Sequence, residues 1–139
     1  IWDKGEIEGK RNFNHGNFSP YYQKPFNSWE HVFVFTKGKA KINTIKSINN
    51  LPSILHQKPV LKLFNGKNIL GHTAPFPKAI PRLLLDVVDK NSTILDPFSG
   101  SMTSGRVAYE TGIKSVNIDY KNEYCDLGLK LLKSELSKI

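Results

Sequence analysis

The sequence predicts a mixed α/β fold whose second half alternates helix, strand, helix, strand, helix. Three observations carry that expectation. "TILD" (Thr93–Asp96) and "KSVNID" (Lys114–Asp119) are short strand-like runs, and each ends in an aspartate. Between them lie a Gly/Ser-rich turn and a helical stretch, residues 102–111, that Gly112 stops. Two strands joined by a helix form a right-handed crossover and a parallel pair.

Taken in order, residues 1–4 read as the end of a strand. Ile1–Gly5 shows neither a start Met nor a basic-then-apolar leader, and reads as a piece of a longer chain. Residues 5–28 are rich in Gly, Asn and aromatics, contain Pro20 and Pro25, and read as a long loop of a kind that is often functional. "WEHVFVFTKG" (Trp29–Gly38) has a β-rich centre, so a strand is expected at His31–Thr36. Residues 39–57 are Asn/Lys/Ile-rich and fit no single element. "PVLKLFNGK" (Pro59–Lys67) resembles a short strand ending in an Asn-Gly turn. Ile80, Leu83, Leu84, Val87 and Val88 sit at helical spacing, and Pro77 and Pro81 confine that helix's start. Asn122 is the expected cap of a last helix, with Cys125, Leu129, Leu132 and Leu136 as its apolar stripe.

Composition narrows the class. The chain has 139 residues, the length of one ordinary domain, and 39% of them are hydrophobic, so it is neither disordered nor membrane-spanning. No run of about 18 apolar residues exists, so no membrane helix is expected. A single cysteine, Cys125, excludes an internal disulfide and points to a cytoplasmic setting. His15, His31, His56 and His72 have no ligand-like spacing, so no metal site is expected. The net charge is +8, and the 55 residues from His31 to Leu85 contain no Asp or Glu. That stretch either attracts a polyanion or is a solvated lysine face.

Asp96 and Asp119 fall at the carboxyl ends of the two strands, where ligands bind in βαβ units. Gly100 lets backbone approach a ligand, and Ser99 and Ser101 keep the space open. A carboxylate at Asp119 suits a ribose diol, which gives an adenosine-binding unit; the dinucleotide pattern G-x-G-x-x-G is absent. The competing interpretation is that Asp96-Pro97 turns the chain and Asp119 caps the last helix.

"ILDPFSGSMTS" resembles the cofactor motif of the amino-methylating DNA methyltransferases, D-P-F-x-G-S-G-T-T. "HTAPFPKAIPRLLL" is similar to the segment before it in that family, "VNIDY…EYC" to its ribose-binding strand and following helix, and "WEHVFVFTKG" to its E-H-I-L-V-F-x-K strand. The order matches the permuted β-type arrangement, and the match covers most of the chain. The resemblance implies a Rossmann-like S-adenosylmethionine-dependent methyltransferase fold, incomplete here. Residues 1–38 would be the C-terminal end of the catalytic half, 39–70 a target-recognition segment and 71–139 the cofactor-binding half.

By the same resemblance, Asp96 would hold the methionine end of S-adenosylmethionine, directly or through water. Phe98, Gly100, Ser101, Met102 and Thr103 would line the cofactor, and Asp119 would bind its ribose. Thr73, Ala74, Pro75 and Phe76 would pack on the methionine side. The family's second glycine is Met102 here, and its last threonine is Ser104. Met102 either faces the adenosine or narrows the pocket. The catalytic tetrapeptide D-P-P-Y or S-P-P-Y, which holds the target amine and stacks on the flipped base, does not occur. "SPYY" (Ser19–Tyr22) lacks the second proline. No catalytic residue is therefore expected in this chain, and a missing catalytic half, upstream or on a second subunit, is an expected partner.

The implied activity is methyl transfer to adenine N6 or cytosine N4 of double-stranded DNA, in a bacterial or phage restriction-modification setting. Lys37, Lys39, Lys41, Lys46, Lys58 and Lys62 are the expected DNA contacts. The alternatives are an inactive DNA-binding or regulatory remnant of the fold, and a methyltransferase acting on RNA or a small molecule.

Overall fold

A computed structural model of the chain describes residues 1–4, 29–39, 52–58, 60, 63–64, 67–68 and 75–137. They fall into two units: Ile1–Phe35 with Pro52–Lys58, and Thr36–Leu51 with Pro59–Ile139.

In the first unit, β1 (Trp2–Asp3) lies between β2 (Trp29–Glu30) and β3 (Leu55–His56). β2 is antiparallel to β1 with Trp2 opposite Glu30, and β3 is parallel to it with Trp2 opposite Leu55. Leu55 N–H donates to Ile1 O (2.8 Å) and Gln57 N–H to Asp3 O (3.0 Å), which lengthens the β3 pairing. Charged groups close both flanks: Lys4 pairs with Glu30, and His56 Nδ1 meets Asp3 Oδ2 at 2.8 Å.

The strand expected at His31–Thr36 is not formed. The described ladder takes in only Trp29 and Glu30, and residues 31–36 are exposed. The backbone pattern survives in the side chains. The rings of Trp29, His31, Phe33 and Phe35 follow one another at 4.7, 5.2 and 6.1 Å, the every-second-residue row of an extended chain. High β-propensity alone does not make a ladder.

The second unit contains a hairpin, β4 (Leu63–Phe64) antiparallel to β5 (Lys67–Asn68), with Phe64 opposite Lys67. Asn65 and Gly66, the expected turn, lie outside the described residues. α1 (Ala79–Leu85) follows Pro77 and carries Pro81 in its first turn, where a missing N–H does no harm. It ends before Val87 and Val88, so these two are not on its face; Val87 is instead buried in the segment that follows.

β6 (Thr93–Asp96) and β7 (Lys114–Asn117) are parallel, with Asp96 opposite Asn117. Their pairing continues past β7, because Ile118 N–H donates to Asp96 O at 2.9 Å. α2 (Thr103–Glu110) connects them and stops at Gly112, whose φ of +72° is left-handed. The core is on the helix side of this pair: Leu85, Val107, Ala108 and Ile113 are buried together, with Val88 and Ile94 against them. The opposite face shows Leu95 (62% exposed), Val116 and Ile118 to solvent.

α3 (Asn122–Leu136) departs from expectation twice. Asn122 is its first helical residue, not its cap; the cap position is Lys121, and no side chain caps it. Its packed face centres on Gly128, while Leu129 (47% exposed) and Leu136 are turned outward. An ion network joins the three helices. Lys78 Nζ reaches Glu110 Oε1 (2.5 Å) and Glu135 Oε1 (2.8 Å), Arg82 pairs with Glu110, and Arg106 Nη1 reaches Glu135 Oε1 (3.1 Å). The Lys78 hydrogen bond foremost, with Arg82, holds the Glu110 carboxyl below the usual carboxylate range, against the opposing pull of burial.

Candidate functional site

The site is built where β6 stops. Pro97 has no N–H with which to extend the strand, and the chain turns. Asp96 Oδ1 accepts from Phe98 N–H at 3.2 Å, an aspartate turn closing on its own backbone. Ser99 N–H donates to Ile118 O (2.8 Å), and Met102 N–H returns to Ser99 O (2.7 Å). Gly100 (φ +49°) and Met102 (φ +57°) both take left-handed backbone. Glycine does so freely; for methionine it costs about 1–2 kcal/mol.

Asp119 stitches the two strand ends together. Its Oδ2 accepts from Gly100 N–H at 2.8 Å and its Oδ1 from Lys121 N–H at 3.0 Å. Thus the first carboxylate shapes the turn from below, and the second holds it from the neighbouring strand. Ser99, Gly100, Ser101 and Thr103 are buried, so the turn presents backbone and small side chains rather than bulk. No side chain caps α2, which leaves first-turn N–H groups for an acceptor. Ser99 Oγ is buried without a hydrogen-bond partner, a polar atom that a small polar ligand or a water would satisfy.

The structure therefore brings Asp96, Phe98, Gly100, Ser101, Met102, Thr103 and Asp119 together at one end of the β6–β7 pair. Pro75 and Phe76 are half-buried ahead of α1, which packs on α2. Thr73 and Ala74 lie outside the described residues, as do Lys41, Lys46 and Lys62. Lys37, Lys39 and Lys58 are exposed.

Met102 goes elsewhere than its neighbours. Its side chain rests on Gly128 of α3, so closely that a Cβ there would lie 2.6 Å from its Sδ and 2.9 Å from its Cβ. Met102 also lines a cleft of about 510 Å³ between α2, α3 and the N-terminal ends of β6 and β7, with Gly105, Tyr109, Ile113, Ser115 and Leu132 among its walls. Neither carboxylate lines that cleft, which is distinct from the mouth formed by the strand ends.

Two groups escaped the list drawn from sequence. Ser99 stood there only as a small residue, and its unsatisfied hydroxyl is visible only in three dimensions. Tyr120 directly follows Asp119 and is 87% exposed, as is Phe98, two positions after Asp96. Both strand ends thus carry a carboxylate and then an open aromatic ring, a repetition readable in the sequence. The Lys121 ammonium lies 5.6 Å from the Tyr120 ring centre and 5.2 Å from that of Tyr124. Tyr120 foremost, then Tyr124, hold it above the usual lysine range through their charge.

Comparison of the sequence with known proteins identifies a family. The DNA methylase family matches over residues 1–130. The Type II beta methyltransferase M.BslI of Bacillus sp. (strain NEB-606) is 42% identical over 135 residues, 91% of this chain and 15% of that protein. The Type II methyltransferase M.SmaI of Serratia marcescens is 30% identical over 114 residues, 75% of this chain and 38% of that protein. The DNA adenine methyltransferase YhdJ of Escherichia coli (strain K12) is 37% identical over 63 residues, 45% of this chain and 21% of that protein. The chain thus spans well under half the length of these relatives. Residues 1–130 cover nearly all of the sequence, β6, the turn and β7 included, and the chain belongs to the N6/N4 DNA methylase family.

Proposed function

We propose that this chain is the cofactor-binding, C-terminal portion of a site-specific DNA methyltransferase that modifies an exocyclic amine, adenine N6 or cytosine N4. The observation that carries the proposal is the stitched turn: two parallel strands ending in carboxylates, joined through Gly100 N–H and Asp119, beside an uncapped helix. The residues present fit S-adenosylmethionine. Asp96 would receive its ammonium end, directly or through water, and Asp119 its ribose hydroxyls. Phe98, Gly100, Ser101, Met102 and Thr103 would line it through the turn's backbone, with Thr73, Ala74, Pro75 and Phe76 on the methionine side. The unsatisfied Ser99 Oγ adds a polar contact within the same turn.

Bound there, the cofactor supplies a methyl group activated on sulfonium sulfur. The chain's own share is orientation, which holds the donor in line for displacement by an amine. Preparing that amine calls for the tetrapeptide absent from this sequence, so the catalytic half comes from upstream residues or from a second subunit. With it, the β6–β7 pair would form part of a larger Rossmann-like sheet with residues 1–38 as the end of the catalytic half and 39–70 as the recognition segment. The acid-free lysine segment suits double-stranded DNA better than a small-molecule substrate.

Calorimetry of the 139-residue chain with S-adenosylmethionine tests the cofactor proposal. Binding that Asp96→Ala weakens about tenfold or more is expected, and no binding by the wild type refutes it. For DNA, Lys37→Ala/Lys39→Ala/Lys58→Ala should flatten the salt dependence of duplex affinity by up to about 0.9 per lost phosphate contact. Identical slopes would return these lysines to a solvated face.

A further inference from the structure

We propose that Met102 and Gly128 are a matched pair that fixes the backbone path of the Ser99–Met102 turn, which makes both of them positioning residues for the cofactor; this second clause rests on the function proposed above. The argument begins with an anomaly. Among the described residues Met102 is the one non-glycine with positive φ, and it stands at the start of α2, in the turn that meets the ligand. A long side chain in left-handed backbone persists only where its surroundings hold it.

The surroundings here are Gly128. It is buried on the packed face of α3, and a Cβ added there would strike Met102. The clash would involve the Met102 Cβ (2.9 Å) as well as its Cγ and Sδ. Swinging the thioether into the neighbouring cleft would relieve Cγ and Sδ. It would not relieve Cβ, which moves only with the Met102 backbone. A methyl group at position 128 therefore pushes on the turn itself.

That turn is held on its other side by three hydrogen bonds: Ser99 N–H to Ile118 O, Met102 N–H to Ser99 O, and Gly100 N–H to Asp119. Displacing Met102 displaces Gly100, and with it the contact that sets the Asp119 carboxylate. The pair thus links the packing of α3 to the placement of both ligand-facing groups. The Met102 side chain does not touch the cofactor in this scheme. Met102 faces the α2–α3 cleft and Gly128 faces Met102.

The test is a double-mutant cycle in the 139-residue chain, with Gly128→Ala, Met102→Gly and the double variant. It has two readouts: the amide resonances of Gly100 and Ser101 without ligand, and S-adenosylmethionine affinity by calorimetry. Gly128→Ala alone should move both resonances and weaken affinity about tenfold. In the Met102→Gly background the same change should move neither resonance and alter affinity less than about threefold, because no side chain remains to collide. Unmoved resonances in Gly128→Ala, or equal effects in both backgrounds, would overturn the pairing. Resonances that behave as expected while affinity stays level would overturn the positioning role. Absence of binding in the wild type would refute the cofactor proposal, and the resonances would still decide the pairing.

Discussion

Replacing Asp119 with alanine should cost both stability and cofactor affinity, and the two losses have separable causes. The carboxylate accepts two backbone N–H groups, from Gly100 at 2.8 Å and from Lys121 at 3.0 Å. Hydrogen bonds to a charged acceptor contribute about 1.5–3 kcal/mol each, and the half-buried position lets water replace part of that. A total loss of about 2–4 kcal/mol follows for Asp119→Ala. Asp119→Asn keeps one acceptor oxygen and should lose about half as much. With a urea slope of about 1–3 kcal/mol/M, the alanine midpoint should fall by roughly 1–2 M. Far-ultraviolet circular dichroism is the right probe, because α1, α2 and α3 all lie in the unit that carries Asp119, whereas Trp2 and Trp29 lie in the other. An unchanged midpoint and slope in Asp119→Ala would refute the stitch. Affinity should drop about tenfold to a hundredfold from lost ribose contacts. An unchanged affinity in a folded variant would refute the ribose assignment.

Two further changes probe the packing beneath the site. Gly105→Ala would set a Cβ 2.6 Å from both Nδ2 and Oδ1 of Asn117, so overpacking of about 1–3 kcal/mol should outweigh the helix-propensity gain of about 1 kcal/mol. In an Asn117→Ala background the sign should reverse, which thermal melts would show; a gain in both backgrounds would contradict the contact. Glu110 has its pKa lowered in the folded state by Lys78 and then Arg82, so its contribution is present above the ordinary carboxylate pKa and fades as pH falls through the lowered value. Glu110→Gln should therefore be less stable than wild type at neutral pH and converge with it in acid. Parallel stability curves across that range would rule out the ion pairs as the cause.

The elements legible in the sequence were those made by local pattern. "TILD" became β6 with the expected bounds, and Gly112 stopped α2. What stayed hidden depends on residues far apart in the chain. β3 is two residues long, and His56 meets a partner, Asp3, more than fifty positions away, so no window around it carries a signal. The α3 face was misjudged because leucine spacing describes an apolar stripe but not the glycine that Met102 requires. His31–Thr36 has strand-forming residues, but among the described residues no strand pairs with them. At the site, both aspartates were legible as strand-end carboxylates. That Asp119 also holds Gly100 was not, since a hydrogen bond across two strands leaves no mark in either run.

The uneven dressing of the β6–β7 pair bears on how the site moves. Helices cover one side, while water lies directly on Leu95, Val116 and Ile118 on the other. Among the described residues these strands pack against helices on one side, chiefly α2, so local opening depends on that packing. Amide exchange along the ladder then reports how firmly those helices grip, and not the strength of the sheet itself. Lys78, which touches carboxylates on two of them, tightens that grip from the edge of the cluster. Any covering laid over the bare side would add a second restraint on β6 and β7, one that acts apart from the turn.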